Sequence, residues 1–128
     1  MNVLVDTSVW IRFLSNRMPF AAELDRLLID DAVAGHECVY GELLLGDLGG
    51  RQEFLSSYEH MAQVPLVPHR EVVAFIRARR FHGRGIGWID AHLLASALVA
   101  GVQLWTADRA LAAVADECGI AYQIGDPS

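Results

Sequence analysis

The sequence predicts an α/β fold, with a parallel sheet covered by helices on both faces, and three observations carry that expectation. Short apolar runs of the buried-strand kind alternate with stretches of helical period. Carboxylates follow two of those runs, at the sheet edge where open parallel sheets place their sites. The chain of 128 residues is 53% hydrophobic and 20% charged, with mean hydropathy +0.28, far from the composition of a disordered chain. That length suits a single domain over residues 1–128 with one buried core.

The elements follow in order. Val3, Leu4 and Val5 form a continuous apolar run, and Asp6-Thr7-Ser8 end it with helix-capping residue types. A helix over residues 8–15 then carries Trp10, Phe13 and Leu14. Pro19 suits the first turn of the next, in which Phe20, Leu24, Leu27 and Leu28 share one face. A third helix is expected from Cys38 to Leu45, ending near Gly46, and a fourth over 51–63, marked by Phe54, Tyr58 and Met61. Pro65-Leu66-Val67-Pro68 reads as a short extended segment, because the residue before a proline avoids helical backbone. Val72, Phe75 and Ile76 give the following helix its apolar face, Arg77 and Arg80 share another, and Gly83, Gly85 and Gly87 end it. Trp88 to Ala100 is apolar on nearly every face, as a buried helix is, and Gly101 stops it. Val102 to Trp105 reads as a strand. Asp108 opens a helix with Leu111, Val114, Ala115 and Cys118 on one face, and after Gly119 the run Ile120 to Ile124 reads as the final strand. Strands that alternate with helices imply right-handed crossovers and a parallel sheet.

Composition excludes several chemistries. All ten basic side chains are arginine, so a P-loop lysine and a Schiff-base lysine are both absent. Cys38 and Cys118 lie far apart and form no C-x-x-C pair, which suits reduced thiols in a cytosolic protein. The most apolar stretch, Leu93 to Leu104, contains Ser96 and Gln103 and is shorter than the ~20 residues that span a bilayer. The first residues lack a basic region and reach a carboxylate at Asp6, so neither a signal peptide nor a membrane role is expected. The formal net charge of −6 disfavours a nucleic-acid partner in general, but Arg77, Arg79, Arg80 and Arg84 form a basic segment without an acid.

Four carboxylates stand out. Asp6 follows the first strand and Asp108 comes shortly after Trp105, so parallel pairing puts both at one edge of the sheet. Each could simply cap the helix that follows it, and Asp90 could do the same near the start of its helix. Asp90 nevertheless lies in a helix otherwise fit for burial, and its charge then needs a partner. Glu42 has Cys38, Val39, Leu45 and Gly46 around it on its helix, which predicts a glutamate among apolar or small neighbours, paired with a buried arginine or drawn into a site. Convergence of Asp6, Glu42, Asp90 and Asp108 would raise their pKa values unless a divalent cation compensated, and oxygen-only ligands suit Mg²⁺ or Mn²⁺.

The segments Val5-Asp6-Thr7-Ser8-Val9-Trp10, Tyr40-Gly41-Glu42-Leu43-Leu44-Leu45-Gly46, Trp88-Ile89-Asp90-Ala91-His92-Leu93-Leu94-Ala95 and Leu104-Trp105-Thr106-Ala107-Asp108 resemble the ordered acidic motifs of the PIN domain. In particular they are similar to those of the VapC toxins of type II toxin–antitoxin pairs. The resemblance runs from Asp6 to the last strand. It implies a three-layer α/β/α sandwich on a mostly parallel sheet of four to five strands, with Asp6, Glu42, Asp90 and Asp108 as catalytic residues around Mg²⁺ or Mn²⁺. It further implies that Thr106 and Ser8 support the site, that the protein is a cytoplasmic homodimer, and that a VapB-type antitoxin covers its groove. Trp10, Phe13 and Leu14 are candidates to receive the antitoxin's apolar residues, with core packing as the alternative.

The activity this implies is metal-dependent endoribonuclease action that inhibits translation. Hydrolysis by water, in place of attack by the RNA 2′-hydroxyl, leaves 5′-phosphate and 3′-hydroxyl ends. An acidic pocket repels RNA, so Arg77, Arg79, Arg80 and Arg84 are the candidate RNA-binding residues, against a reading as a solvated helix face. No histidine is required as a base, and the five present are expected to be surface or hydrogen-bonded groups. A phosphoryl-transfer module with Asp6 as acceptor fits poorly, because Ser8 stands where a second aspartate is wanted and lysine is missing. A noncatalytic RNA- or protein-binding scaffold of the same fold is the remaining alternative.

Overall fold

Three short strands, β1 (Val3–Val5), β2 (Val33–Ala34) and β3 (Gln103–Trp105), form a parallel sheet in the order β2-β1-β3. The structure is a computed structural model and describes residues 2–46 and 51–125. Val3 pairs with Val33 and Gln103, Leu4 with Ala34 and Leu104, and Val5 with Trp105. Successive strand residues point to opposite faces, and Val3, Leu4 and Val5 are all buried, so both faces of β1 are covered. This is why the strand is apolar throughout and does not alternate. A parallel bridge continues the ladder at each edge, Gly35 with Gln63 and Leu104 with Ala121. The final strand expected over 120–124 is thus reduced to one bridge, with Leu104 N–H donating to Ile120 O and Tyr122 N–H to Leu104 O.

The helices are α1 (Thr7–Leu14), α2 (Phe20–Ile29), α3 (Glu37–Leu45), α4 (Gln52–Glu59), α5 (His69–Arg79), α6 (Trp88–Ala100) and α7 (Arg109–Glu117). α2 buries Ala21, Leu24 and Leu27, while Phe20 stacks on Trp105 with ring centroids 6.2 Å apart. α4 is shorter than the 51–63 expected: its C-cap is His60, and the chain then leaves to pair Gln63 with Gly35. α5 ends at Arg79, ahead of the glycines, because Arg80 adopts a left-handed φ of 57°. α6 begins and ends where expected. Ala91 to Ala97 are buried without interruption, and Gly101 closes the helix at φ 69°, a conformation that costs a residue without Cβ little.

Trp10 lies inside the core, with Phe13, Phe54 and Tyr58 at centroid distances of 5.8, 5.4 and 5.5 Å. The early helix therefore does not offer Trp10 to a partner, and the core-packing reading holds for that residue. Both cysteines are free and half-buried. No described helix is long and apolar enough to cross a membrane.

Candidate functional site

Parallel pairing of β1 and β3 brings Asp6 and the segment Thr106-Ala107-Asp108 to the same edge of the sheet. Asp6 occupies the N-cap position of α1 but makes no capping bond. Its carboxylate instead accepts two hydroxyl protons at Oδ2, from Ser8 Oγ at 2.7 Å and from Thr106 Oγ1 at 2.8 Å. These hydroxyls also fix the loop after β3. Ser8 Oγ accepts the Ala107 N–H at 3.0 Å, and Thr106 Oγ1 accepts the Asp108 N–H at 3.0 Å. Asp6 is only 6% exposed, and a buried carboxylate needs such donors.

Asp90 and Asp108 both cap helices, as the plain reading of their positions proposed. Asp90 Oδ2 accepts the Gly87 N–H at 2.9 Å, and Asp108 Oδ1 accepts the Leu111 N–H at 3.1 Å. Each bond occupies one oxygen of a carboxylate that has two. Glu42 on α3 likewise accepts at Oε1 from Thr7 Oγ1 at 2.6 Å. Contrary to the setting its helix neighbours suggested, Glu42 is exposed, and it makes no ion pair with an arginine among the described residues. Among the described residues, then, each of the four acids has one oxygen held by a donor and another that accepts no bond.

The other three acids act on Asp90. Burial pushes the Asp90 carboxyl above the usual range, the Gly87 N–H opposes the rise, and the charges of Asp6, Asp108 and Glu42 add to it. None of the ion pairs among the described residues involves these acids. As the side chains stand, no three of them close round a single point. In donor chemistry the set fits a hard divalent cation: oxygen atoms only, an excess of negative charge and no ion-pair partner among the described residues.

Thr7 is a site residue that sequence reasoning passed over; its place between Asp6 and Ser8 was the available signal. His36 is another. It is fully buried at the N-cap of α3, where Nδ1 accepts the Cys38 N–H at 2.9 Å. That leaves the ring proton on Nε2, which donates to Ser96 Oγ of α6 at 2.9 Å. Its own N–H donates to the Tyr58 hydroxyl at 3.0 Å. His36 thereby ties the helix of Glu42 to the helix of Asp90. Burial, and then the charge of His92, hold its pKa down at about 4.

The four candidate RNA-binding arginines differ. Arg84 is bidentate on Glu117, through Nη1 to Oε1 at 3.1 Å and Nη2 to Oε2. Arg79 lies over the Phe75 ring, 5.6 Å from its centroid, and donates to Cys118 Sγ. Arg77 and Arg80 make no ion pair among the described residues.

The family model of the PIN domain matches residues 3–117. The chain belongs to the PIN-domain family. Ribonuclease VapC32 from two strains of Mycobacterium tuberculosis is 44% identical over 120 residues, spanning 93% of this PIN domain protein and 94% of the relative. That places the chain with the VapC-type PIN proteins. Among solved structures, FitAcB from Neisseria gonorrhoeae is similar at TM-score 0.63 and 26% identity, over 89% of this chain and 93% of that one. PAE2754 from Pyrobaculum aerophilum shares the PIN fold at TM-score 0.57 and 23% identity, over 88% and 84% of the two chains. The α/β sandwich on a parallel sheet is therefore the PIN fold.

Proposed function

We propose that this VapC-type protein is an endoribonuclease dependent on Mg²⁺ or Mn²⁺, and that it is the toxin of a toxin–antitoxin pair that acts by cutting RNA needed for translation. The observation that carries the reading is the set of four carboxylates, on Asp6, Glu42, Asp90 and Asp108, each with one anchored and one unbonded oxygen among the described residues. The similarity to ribonuclease VapC32 supports the same activity. The unbonded oxygens would hold the ion, which when bound supplies water activation and neutralises charge on the phosphodiester. The chain's own residues set the geometry. Ser8 and Thr106 fix the Asp6 carboxylate, Thr7 orients Glu42, and the two caps keep Asp90 and Asp108 from turning away. No histidine is hydrogen-bonded to any of the four acids among the described residues, which favours hydrolysis without a histidine base.

The test is cleavage of total cellular RNA by the purified chain with Mg²⁺ or Mn²⁺, beside a chelator control and Asp90→Asn, with the product ends mapped. Discrete cuts that need both metal and Asp90, leaving 5′-phosphate and 3′-hydroxyl ends, are expected. No cuts with either metal would leave the chain as a noncatalytic scaffold, cuts that ignore both metal and Asp90 would remove the acids from the chemistry, and 2′,3′-cyclic ends would overturn the hydrolytic route. The reading includes a VapB-type antitoxin and a homodimer. Ile11 of α1 and Leu44 and Leu45 of α3 are exposed apolar side chains available to such partners. Light scattering of the chain alone, and growth with and without the antitoxin gene, test these two points.

A further inference from the structure

Of the three tryptophans, Trp10 and Trp105 are buried at 1% and 2% exposure, while Trp88 is 41% exposed. Leaving part of so large an apolar ring in water forgoes burial energy. Trp88 is nevertheless held in place, by His69 at a centroid distance of 5.0 Å and by the edge-on ring of His92 at 4.9 Å. It lines a cavity of about 200 Å³ together with Ile76, Phe81, His82, Ile86 and Gly87. That volume is below the roughly 300 Å³ at which drug-sized pockets begin, and suits one planar ring system.

Position in the chain gives the cavity its meaning. Gly87, which lines it, donates its N–H to Asp90 at 2.9 Å, and Trp88 opens the helix that carries Asp90. Cavity and candidate acid site therefore share the dipeptide Gly87-Trp88. Arg77 and Arg79 lie in the last turn of α5 and Arg80 is its C-cap, immediately before Phe81 and His82 in the chain. Along the chain, Phe81 to Trp88 of this aromatic-lined hollow fall between the arginines at the end of α5 and Asp90, one of the acids that would receive a phosphodiester. Single-stranded RNA offers the matching chemistry, with a neutral flat base flanked by phosphates.

We propose that this cavity receives an unstacked nucleobase of single-stranded RNA, from a nucleotide next to the scissile phosphate, and holds it against Trp88. The inference rests on the reading of the four acids as a nuclease site. Trp88 is then a binding residue whose loss weakens RNA binding and leaves the acids in place. Because the other two tryptophans are buried, emission from Trp88 reports the contact without any metal.

The experiment has two arms. In chelator, an unstructured oligoribonucleotide titrated into the full chain is expected to quench tryptophan emission. A base-free ribose-phosphate strand of equal length should not, and Trp88→Phe should lose most of the signal. With metal, an abasic nucleotide beside the mapped cut and Trp88→Ala should each raise KM about tenfold, and combining them should add little. Because the abasic substrate leaves the protein untouched, a misfolded variant cannot imitate the result. Cutting that ignores both Trp88 and the neighbouring base overturns this assignment while the nuclease reading stands. Absence of metal-dependent cutting with base-dependent quenching does the reverse. If RNA leaves the emission unchanged and a short peptide of leucine and phenylalanine quenches it, the cavity serves a protein partner and the proposal fails.

Discussion

Mild acid should loosen this protein through His36. The imidazole is fully buried, Nδ1 holds the first turn of α3 and Nε2–H holds Ser96, so an added proton would break the cap bond and leave a charge out of water. Burial and the charge of His92 keep its pKa at about 4 in the folded protein, against the ordinary 6.5 of an unfolded chain. Above pH 6.5 both states are neutral there and stability is full. As the pH falls from 6.5 to about 4, the unfolded chain takes up a proton that the folded one refuses, at about 1.4 kcal/mol per pH unit. The loss across that window is about 3 kcal/mol, a large share of the roughly 5–15 kcal/mol by which domains are stable. Urea denaturation followed by far-UV circular dichroism, from about pH 7.5 to about pH 3.5, measures it in the wild type and in His36→Asn. Asparagine can still accept the Cys38 N–H, being a good N-cap, but it is shorter and abandons Ser96. The variant should therefore start about 1–3 kcal/mol lower near neutrality and then decline less steeply. His92 and Asp90 are common to both proteins and cancel in the difference. Parallel curves between pH 6.5 and 4 would refute the assigned tautomer and its partners.

Thr106→Val keeps the shape but removes the donor to Asp6 Oδ2 and the acceptor for the Asp108 N–H. It should cost about 1 kcal/mol by thermal melting yet at least about tenfold in RNA cleavage; equal cleavage rates would remove Thr106 from the site. Arg77→Ala and Arg80→Ala should each flatten the salt slope of RNA binding by about 0.7. Arg84→Ala should barely change it, because Glu117 already matches that charge; three equal slopes would end the distinction. A Cβ on Gly35 would stand 2.3 Å from Gln63 Nε2, whose bonds to Tyr58 O and Met61 O measure 3.3 and 3.2 Å. Gly35→Ala should therefore lose about 1–2 kcal/mol by displacing that amide, and adding Gln63→Ala should recover most of it; no recovery would place the strain in the backbone.

Long elements with a sharp stop are legible in the sequence alone. α6 needs nothing beyond its own residues to be recognised, since thirteen positions between Gly87 and Gly101 are almost all apolar. β2 was not legible. The three residues between Asp31 and Gly35 are too few to show a period, and Val33 and Ala34 become a strand by pairing with β1. The same limit shortened the final strand to a bridge, because apolar content does not report how much of a ladder forms. At the site, element order and chemical type pointed to Asp6, Glu42, Asp90 and Asp108, but exposure did not follow. Cys38 and Val39 suggested a buried Glu42, whereas the residue stands at the exposed rim, reached by a Thr7 hydroxyl from another helix. His36 was illegible for a related reason. Its partners are Ser96, 60 positions away, and Tyr58, 22 positions away, and no local pattern encodes a contact between distant helices.

The double duty of Asp90 and Asp108 alters how variation at this site should be interpreted. Both carboxylates terminate helices as well as carrying charge, so alanine at either position deletes a backbone acceptor together with a candidate ligand. Asparagine separates the two, keeping the acceptor and discarding the charge. In a lineage released from selection for activity, the caps would continue to be favoured for folding alone. Asp6 makes no capping bond and Glu42 sits inside its helix. Those two positions would drift first, and their identity is the more telling mark of a working descendant.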